Sequence, residues 1–236
     1  MTMTDDTPMK NQWRLESPGH TGWVRTARPD DPNKYFMVSA DNHHTEPKDY
    51  FDHIEPQYRD RVPRLEPDDN GALWLVCEGS KPLLVKPGAK PKAPPVDGAV
   101  NKFGSQMDAE DVLRSRSALT VAMRLGDQER DGVDAEVVYP NRGLLCFATP
   151  DPLFAAAMCR AFNRWSNDYF ADVNDRIVVP ALISGGDVAQ ALAEIEWAAS
   201  TGHVAVMLGS KPVWGPTNSG DIGYNDPSFD PMWAAL

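Results

Sequence analysis

The feature that most constrains this chain is the alternation of elements in its second half. Residues 133–140 (VDAEVVYP) form a short run rich in valine, which predicts a strand. Asp151 followed by Pro152 gives a helix N-cap with proline at the first helical position, opening a helix to about Asn174. Phe154, Met158, Ala161, Trp165 and Tyr169 recur there at steps of three and four, marking its buried stripe. Residues 176–183 (RIVVPALI) predict the next strand. After Gly185 and Gly186, Val188, Ala191, Leu192, Ile195, Ala198 and Ala199 again follow helical spacing, Gly202 is a stop, and residues 203–208 (HVAVML) predict a further strand. Mostly apolar strands separated by helices pair in parallel with both faces covered, so the expected fold class is α/β.

Nearer the N-terminus, residues 35–40 (YFMVSA) predict a strand of the same kind, running directly into residues 41–47 (DNHHTEP). Residues 1–34 carry Asp, Pro, Thr and Asn clusters with isolated aromatics, and are expected to be an arm without a core of its own. The expected domain is therefore 35–236, with 48–117 as an insertion after the first strand. Within the insertion, residues 73–77 and 83–85 flank a turn and predict a hairpin, and the proline-rich stretch 86–98 predicts a loop. A short third helix is expected to open near Asp230 and Pro231.

Composition narrows the partners. With 23 Lys and Arg against 34 Asp and Glu, the net charge is −11, which argues against general affinity for nucleic acid or anionic membranes. No apolar run is long enough to span a bilayer, and the polar start has no signal-peptide pattern, so a cytoplasmic location is expected. Cys77, Cys146 and Cys159 are widely spaced and read as small apolar fillers. Gly185 and Gly186 lack the pattern of a phosphate loop, and Ser39 and Ser184 have no nucleophile-elbow context.

The best candidate site is Asp41 with His43 at the end of the first strand. Two residues apart on an extended backbone, they project to the same side, where a carboxylate and an imidazole can reach one divalent ion. From local spacing alone the plainer reading stays open, in which Asp41 caps the following turn and His43 is hydrogen-bonded near the surface. His44 projects to the opposite side, where it is expected either to support the ligands from behind or to pack. Glu46, before Pro47, is placed either to orient His43, to reach the ion, or to be solvated. Asn141 and Arg142 follow the second strand on the same rim, where Arg142 suits a substrate carboxylate and Asn141 a polar group; an exposed loop pair is the alternative. Glu46, Asn141 and Arg142 are accordingly the substrate-binding candidates. Trp165, Trp197 and Trp233 are assigned to core packing.

Residues 39–47 (SADNHHTEP), 61–64 (RVPR), 131–140 (DGVDAEVVYP), 161–165 (AFNRW), 176–180 (RIVVP) and 225–233 (NDPSFDPMW), in this order and spacing, resemble the amidohydrolase-related family of metal-dependent hydrolases, amidohydrolase family 2. The resemblance runs from about residue 35 to the C-terminus. It implies a distorted TIM barrel with a divalent ion, often zinc, at the C-terminal strand ends, and Asp41 and His43 as metal ligands. In such enzymes a metal-held water is the nucleophile and a later carboxylate takes its proton, whereas relatives in the wider group decarboxylate aromatic or related acids. The family's further ligands, a histidine on the fifth strand and an aspartate on the eighth, would lie beyond Leu236. A full barrel typically takes about 250 residues, so a partial TIM-like barrel is expected, the N-terminal half.

The expected function is a metal-dependent hydrolase acting on a small-molecule substrate, inactive as this chain alone. A metal-dependent decarboxylase and a noncatalytic fragment are the alternatives. Half a barrel leaves sheet edges uncovered, so a second copy of the chain or the missing C-terminal half is the expected macromolecular partner.

Overall fold

The computed structural model describes residues 37–47, 50–86, 120–131, 133–213 and 221–236. In chain order the strands are β1 (Val38–His44), β2 (Arg64–Pro67), β3 (Leu73–Val76), β4 (Leu83–Lys86), β5 (Ala135–Pro140), β6 (Ile177–Val178), β7 (Ala181–Ile183) and β8 (Val206–Leu208). The helices are α1 (Val121–Asp131), α2 (Pro152–Tyr169), α3 (Val188–Ser200) and α4 (Asp230–Ala235). The proposed arm 1–34 and the proline-rich stretch beyond Lys86 lie outside the described residues.

The apolar runs do pair in parallel. β1, β5 and β6 form one sheet in that order, and β7 pairs with β8 in a second. The single strand expected over 176–183 is thus two strands in two sheets. The break falls at Val179 and Pro180, and proline, lacking an N–H, cannot continue a ladder. Beside the break, Asn163 of α2 replaces a strand partner: its side chain donates to the Leu182 carbonyl at 2.9 Å and accepts from the Leu182 N–H at 2.7 Å. The fold is mixed α/β with parallel sheets, consistent with part of a barrel.

Helix α2 begins where its sequence dictates. The Asp151 carboxylate caps it by accepting from the N–H groups of Leu153 and Phe154. It ends at Tyr169, short of Asn174, because the chain tightens into a 3-10 turn over Ala171–Val173. Helix α3 is capped by Asp187 and stops before Gly202, whose φ of 85° lies in the left-handed region that glycine tolerates. His203 sits in the loop before β8 rather than in the strand, with Nδ1 3.0 Å from the Thr201 hydroxyl.

The principal core gathers α2 and the sheet. Phe154, Met158, Phe162 and Trp165 pack with Val138 of β5, Ile177 of β6, Leu182 of β7, and Tyr50, Phe51 and Ile54 from the segment after β1. A second cluster joins Ile183, Ala191, Ile195, Phe229 and Met232, seating α4 on α3 and β7. All three cysteines are free and buried, as fillers should be. Of the three tryptophans assigned to the core, only Trp165 is buried there. Trp197 is half-buried with the Arg164 guanidinium 3.4 Å from its ring, and Trp233 is 45% exposed, its indole N–H donating to the Tyr224 carbonyl.

The expected hairpin is β3 with β4, and it acquires a third antiparallel strand, β2. Its turn uses Gly79 at φ 78°, and a Cβ there would stand 2.2 Å from the Ala148 carbonyl oxygen. This meander packs Leu75 and Cys77 onto Leu145 and Ala148, in and just beyond the 3-10 turn Arg142–Phe147 after β5. Arg61 ties the same corner to α2, pairing with Glu78 at 2.7 Å and with the cap Asp151 at 2.9 Å. The insertion therefore buttresses the loop beside the candidate site.

Candidate functional site

Asp41 and His43 occupy the last part of β1 and lie together. Asp41 Oδ1 is 3.7 Å from His43 Nε2, and both side chains are open, at 90% and 47% exposure. At Ala40 and Asp41, β1 carries a bulge: Ser39 stands opposite Glu136 and Asn42 opposite Val138, so β1 spends one residue more than β5 over this stretch. His43 Nδ1 lies 2.9 Å from the Pro140 carbonyl oxygen. A carbonyl only accepts, so Nδ1 carries a proton, and in the neutral ring Nε2 has its lone pair on the Asp41 side.

That donor set fits a divalent cation. With zinc bonds of roughly 2.0–2.2 Å at tetrahedral angles, a nitrogen and a carboxylate oxygen on one ion stand about 3.3–3.5 Å apart, so the observed 3.7 Å needs only a small shift of the open Asp41 side chain. Among the described residues, no group of three or more His, Cys, Asp and Glu side chains comes together as a metal cage. Among the described residues, Asp41 and His43 would by themselves offer an ion two donors.

Beneath the pair the strand is anchored by charge. Glu136 of β5 accepts from Arg124 Nη1 at 3.0 Å, from Gln128 Nε2 at 2.8 Å, and from the side chain of Asn42. Arg124 also donates to the His43 carbonyl at 2.6 Å. Helix α1, which brings Arg124 and Gln128 to Glu136, is largely polar and is not among the elements expected from the sequence. An arginine and a glutamine four residues apart, on one helix face, were the available signal.

Behind β1, His44 is buried against Trp165, Tyr169 and Phe170, with ring centroids 5.9, 5.2 and 5.4 Å away. Burial, assisted by the nearby Arg124 charge, pushes its pKa down from 6.5 to about 4, so the ring is neutral at pH 7. It is a packing residue, one of its two expected roles.

Glu46 requires a correction. It is not a solvated loop residue and does not stand with Asp41 and His43 as a third donor: it is 2% exposed and spends both oxygens on backbone. Oε1 accepts from the N–H groups of Asn141 and Gly143 at 2.8 and 3.0 Å, and Oε2 from that of Arg142 at 2.7 Å. A buried carboxylate demands such donors, and three consecutive amides at the start of a 3-10 turn supply them. Asn141 and Arg142 do sit beside the pair, after β5. Asn141 is exposed, with its amide 3.4 Å from the Thr45 hydroxyl, and Arg142 is half-buried. Cys146, on the same turn, is fully buried, and burial together with Cys159 pushes its thiol well above its ordinary pKa, which keeps it protonated.

A cleft of about 440 Å³ lies elsewhere, lined by Asn167, Phe170, Asp175, Val178, Thr201 and His203 among others, before β6 and after α3. It does not include Asp41 or His43, and among the described residues it brings together no comparable pair of carboxylate and imidazole donors.

No family model matches the chain, and no curated protein matches it in sequence. Solved structures do match in fold. An amidohydrolase from Mycobacterium avium subsp. paratuberculosis K-10 superposes with a TM-score of 0.63 at 20% identity, over 86% of this chain and 56% of that one. Structures of 2,6-dihydroxybenzoate decarboxylase, one from Rhizobium and one complexed with 2,6-dihydroxybenzoate, give TM-scores of 0.47 and 0.48 at 15% identity, each over 85% of this chain and 46% of the other. The fold is therefore of the kind seen in the mycobacterial amidohydrolase. This chain spans just over half the length of that protein. Among the described residues, no helix is long and apolar enough to cross a membrane.

Proposed function

We propose that this chain carries the first-strand part of a divalent-metal site in a hydrolase of the amidohydrolase type, acting on a small organic substrate. The observation that carries the reading is the Asp41 and His43 pair, 3.7 Å apart, with His43 Nδ1 tied to Pro140 and Nε2 left as a donor. Likeness in fold to a solved amidohydrolase supports it. Asp41 and His43 would hold the ion, with zinc as the expected metal, and when bound it supplies Lewis acidity toward water and a substrate carbonyl or carboxylate. The remaining donors come from outside the described residues or from a second chain. Asn141 and Arg142, on the neighbouring loop, are placed to bind the substrate, Arg142 favouring an anionic one. The domain is taken as 35–236, in the cytoplasm. A carboxylate-bearing substrate would be open to decarboxylation as well as hydrolysis, and product analysis divides the two.

Metal titration tests the proposal. The chain in metal-supplemented buffer should bind zinc near one equivalent, and Asp41→Ala with His43→Ala should abolish that binding. Equal uptake by the double variant, or none by the parent, sinks it.

A second reading, association with another chain, rests on exposed apolar side chains: Met37 and Val38 entering β1, Val204 before β8, and Trp233 and Leu236 on or just after α4. Sedimentation across a concentration series should then show a dimer, and a monomer throughout would refute it.

A further inference from the structure

The carboxylate of Glu46 reaches the candidate metal ligand through a single peptide group. Glu46 stands two residues beyond β1, and its three donors follow β5, some 95 to 97 positions further on. Those donors belong to the N-terminus of the 3-10 turn Arg142–Phe147, whose own N-cap residue, Asn141, makes no side-chain capping bond. Glu46 therefore caps this turn from a distant part of the chain.

One of the three bonds has a further consequence. The Asn141 N–H and the Pro140 carbonyl belong to the same planar peptide group, and in the trans form they point to opposite sides. The N–H donates to Glu46 Oε1 at 2.8 Å, and the carbonyl accepts from His43 Nδ1 at 2.9 Å. Glu46, the Pro140–Asn141 peptide and the His43 ring thus form one line of hydrogen bonds, each polarising the next. The Arg142 and Gly143 N–H groups hold the same carboxylate in place, so the Pro140–Asn141 peptide cannot rotate without breaking its bonds to both Glu46 and His43.

We propose that Glu46 is a positioning residue for His43: by fixing the Pro140–Asn141 peptide it holds the imidazole in the Nδ1–H tautomer, with Nε2 aimed beside Asp41. Its bearing on metal binding rests on the function proposed above; the tautomer itself does not. Partners that orient a ligating histidine typically change metal affinity by ~10–100-fold when lost.

The test uses the 236-residue chain, free of metal, with 15N-labelled histidine at about pH 8, about 1.5 units above the ordinary histidine range. The His43 resonances, assigned by their loss in His43→Gln, should report a proton on Nδ1. In Glu46→Gln, the one amide oxygen cannot serve three donors. His43 should then populate the Nε2–H tautomer, amide exchange at Asn141, Arg142 and Gly143 should speed up, and zinc affinity should fall ~10–100-fold. Glu66→Gln, at an exposed residue paired with Arg64, should change none of these. If Glu46→Gln does not fold, Gly143→Ala perturbs the same turn with Glu46 intact, since its Cβ would meet Phe162 and Pro140 side-chain atoms at 2.7 Å; the same tautomer mixing is expected. A wild-type His43 protonated on Nε2, or a variant that loses stability while His43 stays wholly Nδ1–H, overturns the proposal. A wild-type chain that shows the Nδ1–H tautomer yet binds no zinc would leave Glu46 in its role and refute the metal site alone.

Discussion

Replacing Arg124 by methionine removes a charge from beneath the site while keeping much of the side chain's apolar length. Arg124 and Glu136 are 7% and 5% exposed at their side chains, so water cannot compensate either one. In Arg124→Met, the Glu136 carboxylate keeps only two neutral donors, Asn42 and Gln128, and the His43 carbonyl loses a charged donor at 2.6 Å. Leaving one member of a buried ion pair unpaired costs about 3–5 kcal/mol, or roughly two to four powers of ten in the folding equilibrium. The companion variant Glu136→Gln should cost about as much, because it strands Arg124 instead. The double variant removes both charges, and glutamine at 136 still accepts from Asn42, so its loss should fall short of the sum by at least ~1 kcal/mol. Urea denaturation at pH 7, followed by tryptophan fluorescence, measures all four corners of this cycle. A single variant within about 1 kcal/mol of the parent, or an additive double variant, would refute the reasoning, for it would mean that α1 does not keep water from this face of the sheet.

Two further outcomes follow from buried polar groups. His44 has a folded pKa of about 4 against an ordinary 6.5, so between those values the unfolded chain takes up a proton that the folded chain refuses. Its contribution is fully present above pH 6.5 and is lost as pH falls toward 4, by up to roughly 3 kcal/mol. Stability measured at pH 7.5 and 4.5 should therefore fall less in His44→Phe than in the parent, and equal falls would contradict the assignment. Asn163→Leu should cost about 2–5 kcal/mol, since it strands both the N–H and the carbonyl of Leu182 in the core and deprives Glu194 of a donor at 2.7 Å. Thermal unfolding of this variant checks that figure, and a change below about 1 kcal/mol would show that β7 finds another partner.

What could be read from the sequence is what side-chain type records. The parallel α/β class shows in the apolar runs, the start of α2 in Asp151 and Pro152, and the end of α3 in Gly202, because each is a local bargain between one residue and its neighbours. Asp41 and His43 were legible for the same reason: both donors sit two apart on one strand. β2 was not, since Arg64–Pro67 is polar and becomes a strand only by pairing with β3. The split at Pro180 was visible as a proline but not as a change of sheet, which depends on β8 capturing residues 181–183 and on Asn163 holding Leu182.

Glu46 marks the deeper limit. Its partners are three backbone amides some 95 residues away, and a backbone amide has no letter of its own. A glutamate before proline leaves its role open between orienting His43, reaching an ion and being solvated, because most sequence signals pair one side chain with another nearby; a carboxylate that serves a remote turn leaves no trace of its partners. The candidate site is therefore half written in residue types, as Asp41 and His43, and half in the fold, as the peptide that Glu46 holds against the ring. Substituting the proposed ligands tests the first half, and only a variant that spares them, such as Glu46→Gln, tests the second.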